Sequence, residues 1–255
     1  MRRRDCQSSP HSAAAASQVW DIAAFPLKRC ARGPSLTAPM HVISIVQQKG
    51  GVGKTTLAVN VAGALKQRGL SVMVVDADPQ GSATAWAIPR KLGFEVRPEL
   101  MTSGTLSIWL RNILKQRADV ILIDTPAGLS SVFRAAVDVA DLVLIPCGPS
   151  SLDINAARTT LLNVVAALRS DVRSKTQIAV VPTRVDVSTP EGQQIADELS
   201  ALGESVSPPL SHDVYFVRAF TQGVSVTAAA PDSNAAHEMK ALTEFLLDSL
   251  SAVGA

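Results

Sequence analysis

The stretch Val42 to Thr56, VISIVQQKGGVGKTT, constrains this chain more than any other. It opens as a β-branched apolar run, breaks into a turn rich in glycine and lysine, and resumes with helical spacing at Leu57, Ala58, Val61, Ala62 and Leu65. A buried strand, a loop and a helix in that order make an anion site. Gly50, Gly51 and Gly53 let the backbone turn where side-chained residues cannot, so bare N–H groups face one point. The helix adds the positive end of its dipole at the same point. Lys54 supplies a point charge for β- and γ-phosphate oxygens, and Thr55 a hydroxyl for Mg²⁺. The strict phosphate-loop pattern asks for glycine five positions before Gly53. Gln48 stands there instead, with Lys49 at the front of the loop.

The rest of the chain reads as alternating strands and helices. Ser71–Val75 is a continuous apolar run closing on Asp76-Ala77-Asp78-Pro79-Gln80-Gly81, and Asp119–Pro126 (DVILIDTP) is a second that ends in an acid. Asp141–Pro146 and Gln177–Pro182 repeat the pattern, with Phe94–Pro98 and Val206–Pro209 as shorter strands. Helical spacing covers about 105–117, a segment from Ser151 to about Arg169, 189–202, 213–222 and 235–252. Such alternation predicts a single-domain α/β fold, an open and mostly parallel sheet with helices on both faces. The ligand of such a sheet lies at the carboxyl edge of its strands, where every chemical residue above falls. Carboxylates at the tips of buried strands are costly unless used. Asp124 is placed to reach Mg²⁺ directly or through water. For Asp76 and Asp78 a turn or helix cap is the structural alternative, as it is for Ser151 as an N-cap.

Composition excludes several classes. A chain of 255 residues with 47% hydrophobic content buries a substantial core, while a net charge of +2 leaves DNA contact to local patches. No apolar run reaches the length of a membrane helix. Cys6, Cys30 and Cys147 show no CxxC spacing, which points to a reducing compartment and no structural zinc. Residues 1–39, rich in Arg, Ser, Ala and Pro, lack a core-forming period. A twin-arginine or transit signal is one reading; the preferred expectation is a disordered or misassigned extension, with the working domain at 40–255.

The octet Lys49-Gly50-Gly51-Val52-Gly53-Lys54-Thr55-Thr56 resembles the deviant Walker A box of the ParA/MinD ATPases, the P-loop NTPases with a second lysine in the loop. The resemblance covers about 40–255 and is closest to the short ParA proteins of plasmid and chromosome partition. It implies an ATPase using ATP and Mg²⁺, with the whole octet on the nucleotide. Lys49 then acts across an ATP-dependent homodimer, Lys54 serves catalysis in its own subunit, and Asp78 positions the attacking water. Thr55, Asp76 and Asp124 form the metal set, and residues 125–130 resemble the switch loop that senses the γ-phosphate. Thr183, Arg184 and Pro231 match the adenine side. Arg184 and Arg218 are the DNA-binding candidates. The loop Gly148–Asp153 resembles a segment near the family's dimer interface.

Three further expectations come with the resemblance: a ParB-like or cargo-adaptor partner that stimulates hydrolysis, binding to non-specific DNA, and a cytoplasmic, nucleoid-associated location without membrane attachment. The cargo is a plasmid or chromosome, or alternatively a protein assembly such as a carboxysome or chemoreceptor cluster. A dethiobiotin synthetase-like enzyme of the same fold is the rival of another class, and Lys49 and the DADPQ segment argue against it. A basic amphipathic C-terminal helix of the MinD type is missing, since His237–Ala255 holds one lysine among several acids.

Overall fold

The computed structural model describes residues 40–99, 105–113, 115–169 and 175–253; the expected extension at 1–39 lies outside them. Among the described residues the chain runs β1 (His41–Ile45), α1 (Lys54–Gln67), β2 (Val72–Asp76), α2 (Ser82–Ala87), β3 (Glu95–Pro98), α3 (Leu106–Ile113), β4 (Val120–Asp124) and α4 (Ser131–Asp138). It continues with β5 (Leu142–Cys147), α5 (Ser151–Leu168), β6 (Gln177–Pro182), α6 (Pro190–Ser200), β7 (Ser205–Val206), α7 (Val214–Gln222), α8 (Val226–Ala229) and α9 (Asn234–Val253).

These strands form one sheet in the order β3-β2-β4-β1-β5-β6-β7, and every pairing is parallel. The mostly parallel sheet expected from the sequence is parallel throughout among the described strands. β2, β4 and β5 are buried along their whole length, because helices cover both faces. Alternation along each strand divides the core in two. Val42, Val75, Ile121, Ile123, Val143 and Val180 face α3, α4, α5 and α6; Ile43, Ile45, Val74, Leu122, Leu144 and Val181 face α1, α2, α7, α8 and α9. The stripe expected on α1 is wider than its periodicity implies: every residue from Leu57 to Leu65 is buried, since the helix lies between the sheet and α2, α8 and α9.

One boundary differs from the sequence reading, and one short helix was not read from it. The N-cap of α5 is Ser150, not Ser151; its hydroxyl accepts from Asp153 N–H. The run after Gly223 forms a separate turn of helix, α8, because Gly223 ends α7 in a left-handed conformation (φ 69°).

Candidate nucleotide site

The register places the chemistry. Ile45, the last residue of β1, pairs with Asp124, and Asp124 pairs with Asp76 on the other side, so both acids stand side by side next to the loop that leaves β1. Gly53 forms the N-cap of α1 at φ 97°, a conformation that opens the loop's N–H groups outward and that L-residues rarely take. The 125–130 loop is tied to this one: Gly128 N–H donates to Gln48 O at 3.0 Å, and the buried Thr125 hydroxyl to Ile45 O at 2.7 Å.

Lys54 is only 7% exposed, its Nζ donating to the carbonyls of Gln47 (3.3 Å) and Lys49 (3.4 Å). Burial lowers its pKa, and Asp124 and Asp78 oppose that. Asp124 is fully buried and neither carboxylate oxygen has a hydrogen-bond partner. Burial pushes its pKa up to about 7; the Thr55 side chain, outside hydrogen-bonding geometry, and Lys54 hold it down in part, and Asp76 adds to the rise. Two orphaned anionic oxygens in a buried position fit a divalent cation. Thr55 and Asp76 are the neighbours able to share it. Among the described residues no group of three or more His, Cys, Asp or Glu could hold a metal alone, so nucleotide oxygens would complete the shell, as is usual for Mg²⁺.

Asp76 and Asp78 divide their labour. Asp76 Oδ2 accepts from the backbone N–H and the hydroxyl of Thr84, both at 2.7 Å, and so caps α2 from eight residues upstream. Asp78, half-buried, points Oδ1 at Gln80 N–H (2.9 Å). Its carboxylate stays near solvent.

Lys49 ends elsewhere. Its ammonium pairs at 2.7 Å with Asp153 on α5 and with none of the site's other acids. Asp153, 3% exposed, also takes Ser150 Oγ (2.6 Å) and Arg184 Nη2 (3.3 Å). Burial pushes this carboxyl up, and the Lys49 and Ser150 hydrogen bonds with the charges of Lys49 and Arg184 outweigh it, leaving it below its ordinary value. Gly148 makes room for the pair: a Cβ there would stand 2.4 Å from Arg184 Nη2 and 2.6 Å from Asp153 Oδ2. Arg184 itself adopts φ 55°, rare for a side-chained residue. The sequence reading missed Asp153 as the holder of Lys49; the acid after the Ser150 cap was its one visible trace.

The remaining candidates scatter. Thr183 is buried and its hydroxyl donates to Val52 O (3.0 Å), bracing the phosphate loop from the end of β6. Pro231 is exposed, its carbonyl held by Lys240 Nζ at 3.1 Å. Arg218 lies exposed on α7, 5.2 Å over the Tyr215 ring, while Arg184 pairs with Asp153. Cys147 is buried beside Gly148 and its thiol pushed up to about 12 by burial first and by Asp153, so it is inert.

A parallel sheet with a glycine–lysine loop leaving its middle strand and buried acids on the adjoining strand ends defines a P-loop nucleotide-binding protein. Residues 43–226 match the CobQ/CobB/MinD/ParA nucleotide-binding domain, and the chain belongs to that family of ATPases. It is 40% identical over 159 residues to the maintenance of carboxysome distribution protein A of Gloeobacter kilaueensis, covering 60% of this chain and 67% of that protein. Chromosome-partitioning ATPase Soj of Thermus thermophilus is 29% identical over 242 residues, 82% of this chain and 96% of the relative. The septum site-determining protein MinD of Pyrococcus horikoshii, solved with Mg-ADP, shares the fold with a TM-score of 0.65 at 21% identity, over 85% of this chain and 99% of its own. Among the described residues no helix is long and apolar enough to cross a membrane.

Proposed function

We propose that this ATPase is a partition switch: it dimerises on Mg-ATP, binds DNA without sequence preference as a dimer, and is released when a ParB-like partner stimulates hydrolysis. The observation that carries the reading is Lys49, a second loop lysine held by α5 and not by the acids of its own site. An ammonium of this kind is available to a second subunit once Asp153 lets go. There it would meet charge developing on the transferred phosphoryl group, the place where a cation contributes most to rate. Lys54 and the loop N–H groups hold the phosphates, Thr55 and Asp124 with Asp76 hold the cation, and Asp78 orients water. Mg²⁺ bridges phosphate oxygens and neutralises their charge. Thr183, Arg184 and Pro231 border the base. The likeness to the chromosome-partitioning ATPase Soj supports a role in chromosome or plasmid partition.

A second reading is favoured by one observation, the 40% identity to a carboxysome-distribution protein: the cargo is a protein assembly, moved by the same dimer on the same DNA. Retention of the chain on non-specific DNA with ATP and its loss with ADP, measured over a salt series, tests what both readings share. No ATP-dependent retention would turn the assignment toward a small-molecule enzyme of this fold. If DNA is retained, stimulation by the product of an adjacent reading frame, and whether that product binds DNA or a protein assembly, separates the two cargoes.

A further inference from the structure

Gln47 and Thr160 are polar and fully buried, and no role above uses their side chains. Gln47 follows the apolar run before the phosphate loop, and three of its polar atoms are engaged there. Its main-chain oxygen accepts from Lys54 Nζ at 3.3 Å. Its Nε2 donates to Pro146 O at 3.1 Å, and its Oε1 accepts from Lys49 N–H at 3.4 Å. The short contact to Oε1 comes from 113 residues away: Thr160 Oγ1, in the middle of α5, at 2.5 Å. The same hydroxyl accepts from Gln48 N–H at 3.2 Å and lies 2.8 Å from Ala156 O.

A hydroxyl has one proton, so Gln47 Oε1 and Ala156 O compete for it. Threonine inside a helix ordinarily gives it to the carbonyl four residues back, here Ala156. That carbonyl has its helical N–H donor in any case. Gln47 Oε1, buried and otherwise served only by a long contact from Lys49, would be left nearly unpaired. The proton therefore belongs on Gln47, and the hydroxyl oxygen's lone pair on Gln48. Thr160 grips both residues ahead of Lys49, while Asp153, two turns earlier on the same helix, grips the Lys49 ammonium.

We infer that Thr160 and Gln47 are a positioning pair, through which α5 sets the phosphate loop so that the carbonyls of Gln47 and Lys49 hold Lys54 at its station for nucleotide. The inference rests on the reading of residues 49–56 as the phosphate loop. Because the contact shapes the loop in ground and transition states alike, its loss falls on KM and leaves kcat within about threefold.

The test is ATP hydrolysis by the full chain with Mg²⁺, in a double-mutant cycle. Thr160→Val, which keeps the shape and removes the hydroxyl, is expected to raise KM for ATP about tenfold, and Thr160→Ser to restore it to within twofold. In a Gln47→Met background, itself about tenfold weaker, Thr160→Val should add less than twofold, the non-additivity that a shared contact produces. A helix-only role for the hydroxyl predicts unchanged KM, or the same loss in both backgrounds, and either result overturns the pairing. Should Thr160→Val fail to fold, Gln47→Met decides alone: wild-type KM there overturns the inference. Lys54→Ala is run alongside with a fluorescent ATP analogue. Loss of binding in Lys54→Ala with no effect of Thr160→Val refutes the positioning pair only; undiminished binding in Lys54→Ala refutes the loop assignment and this inference with it.

Discussion

Asp124 should cost the nucleotide-free protein stability, and the size of that cost follows from its surroundings. Its pKa rises from 3.8 to about 7, chiefly because the folded chain removes it from water. Below pH about 4 both folded and unfolded states carry the proton, and the residue costs nothing. Between about 4 and 7 the unfolded chain ionises while the folded one keeps its proton, so stability falls as pH rises. Above about 7 the penalty is constant. At about 1.4 kcal/mol per pH unit, roughly three units correspond to about 4 kcal/mol at most. Asp124→Asn removes the charge and leaves an amide with few partners, which costs about 1–3 kcal/mol of its own. The variant should therefore unfold at higher urea than the parent at pH 8 without metal or nucleotide, by about 1–3 kcal/mol, several degrees in Tm for a domain of this size. The advantage should vanish near pH 4.5. Added Mg-ATP should reverse the order at pH 8, since only the parent offers an anion to the cation. A variant no more stable than the parent at pH 8, or a difference indifferent to pH, would refute the claim that a buried, unpaired carboxylate waits at the end of β4.

Other perturbations separate the roles assigned to the remaining residues. Asp78→Ala should bind Mg-ATP normally and lose at least about tenfold in turnover, accumulating as an ATP-bound dimer; loss of ATP binding instead would make Asp78 structural or a metal ligand. Lys49→Ala should bind ATP yet lose partner-stimulated hydrolysis, and normal stimulated rates in that variant would remove the trans role. Arg184→Glu with Arg218→Glu should weaken binding to all DNA sequences alike and flatten the slope of log affinity against log salt by about one unit per lost contact; an unchanged slope would move the DNA surface elsewhere. A chain begun at Met40 should fold and hydrolyse ATP like the full one, and loss of either would give residues 1–39 a structural role.

How far the sequence speaks here depends on chain distance. The phosphate loop was legible because its parts are consecutive, and Asp124 because a four-residue apolar run ends on it. The fold class followed from continuous apolar runs alternating with segments of period 3.6. A helix cap was one reading of Asp76 and Asp78, but that Asp76 reaches Thr84 was not legible, since the acid does not occupy the N-cap position; Gly81 does. Asp153 and Thr160 lie about a hundred residues from Lys49 and Gln47, and meet them only because parallel pairing sets β5 beside β1 and returns α5 across the loop. Arg184 reads as a surface charge and is exposed; its left-handed backbone and the bare Cα of Gly148 also let one guanidinium nitrogen reach the buried Asp153, which the sequence does not show. The misplaced cap of α5 is a choice between adjacent serines that either could satisfy locally.

The central claim is that nucleotide draws two copies together so that Lys49 leaves Asp153 for the opposite subunit. The solution mass of the full chain, measured by light scattering with Mg²⁺ and either ATP or ADP, tests it most directly. The account predicts about twice the chain mass of 26.8 kDa with ATP and a single chain with ADP, the ATP-bound form of Lys49→Ala remaining single. One mass under both nucleotides, or an undiminished ATP dimer in Lys49→Ala, would contradict it.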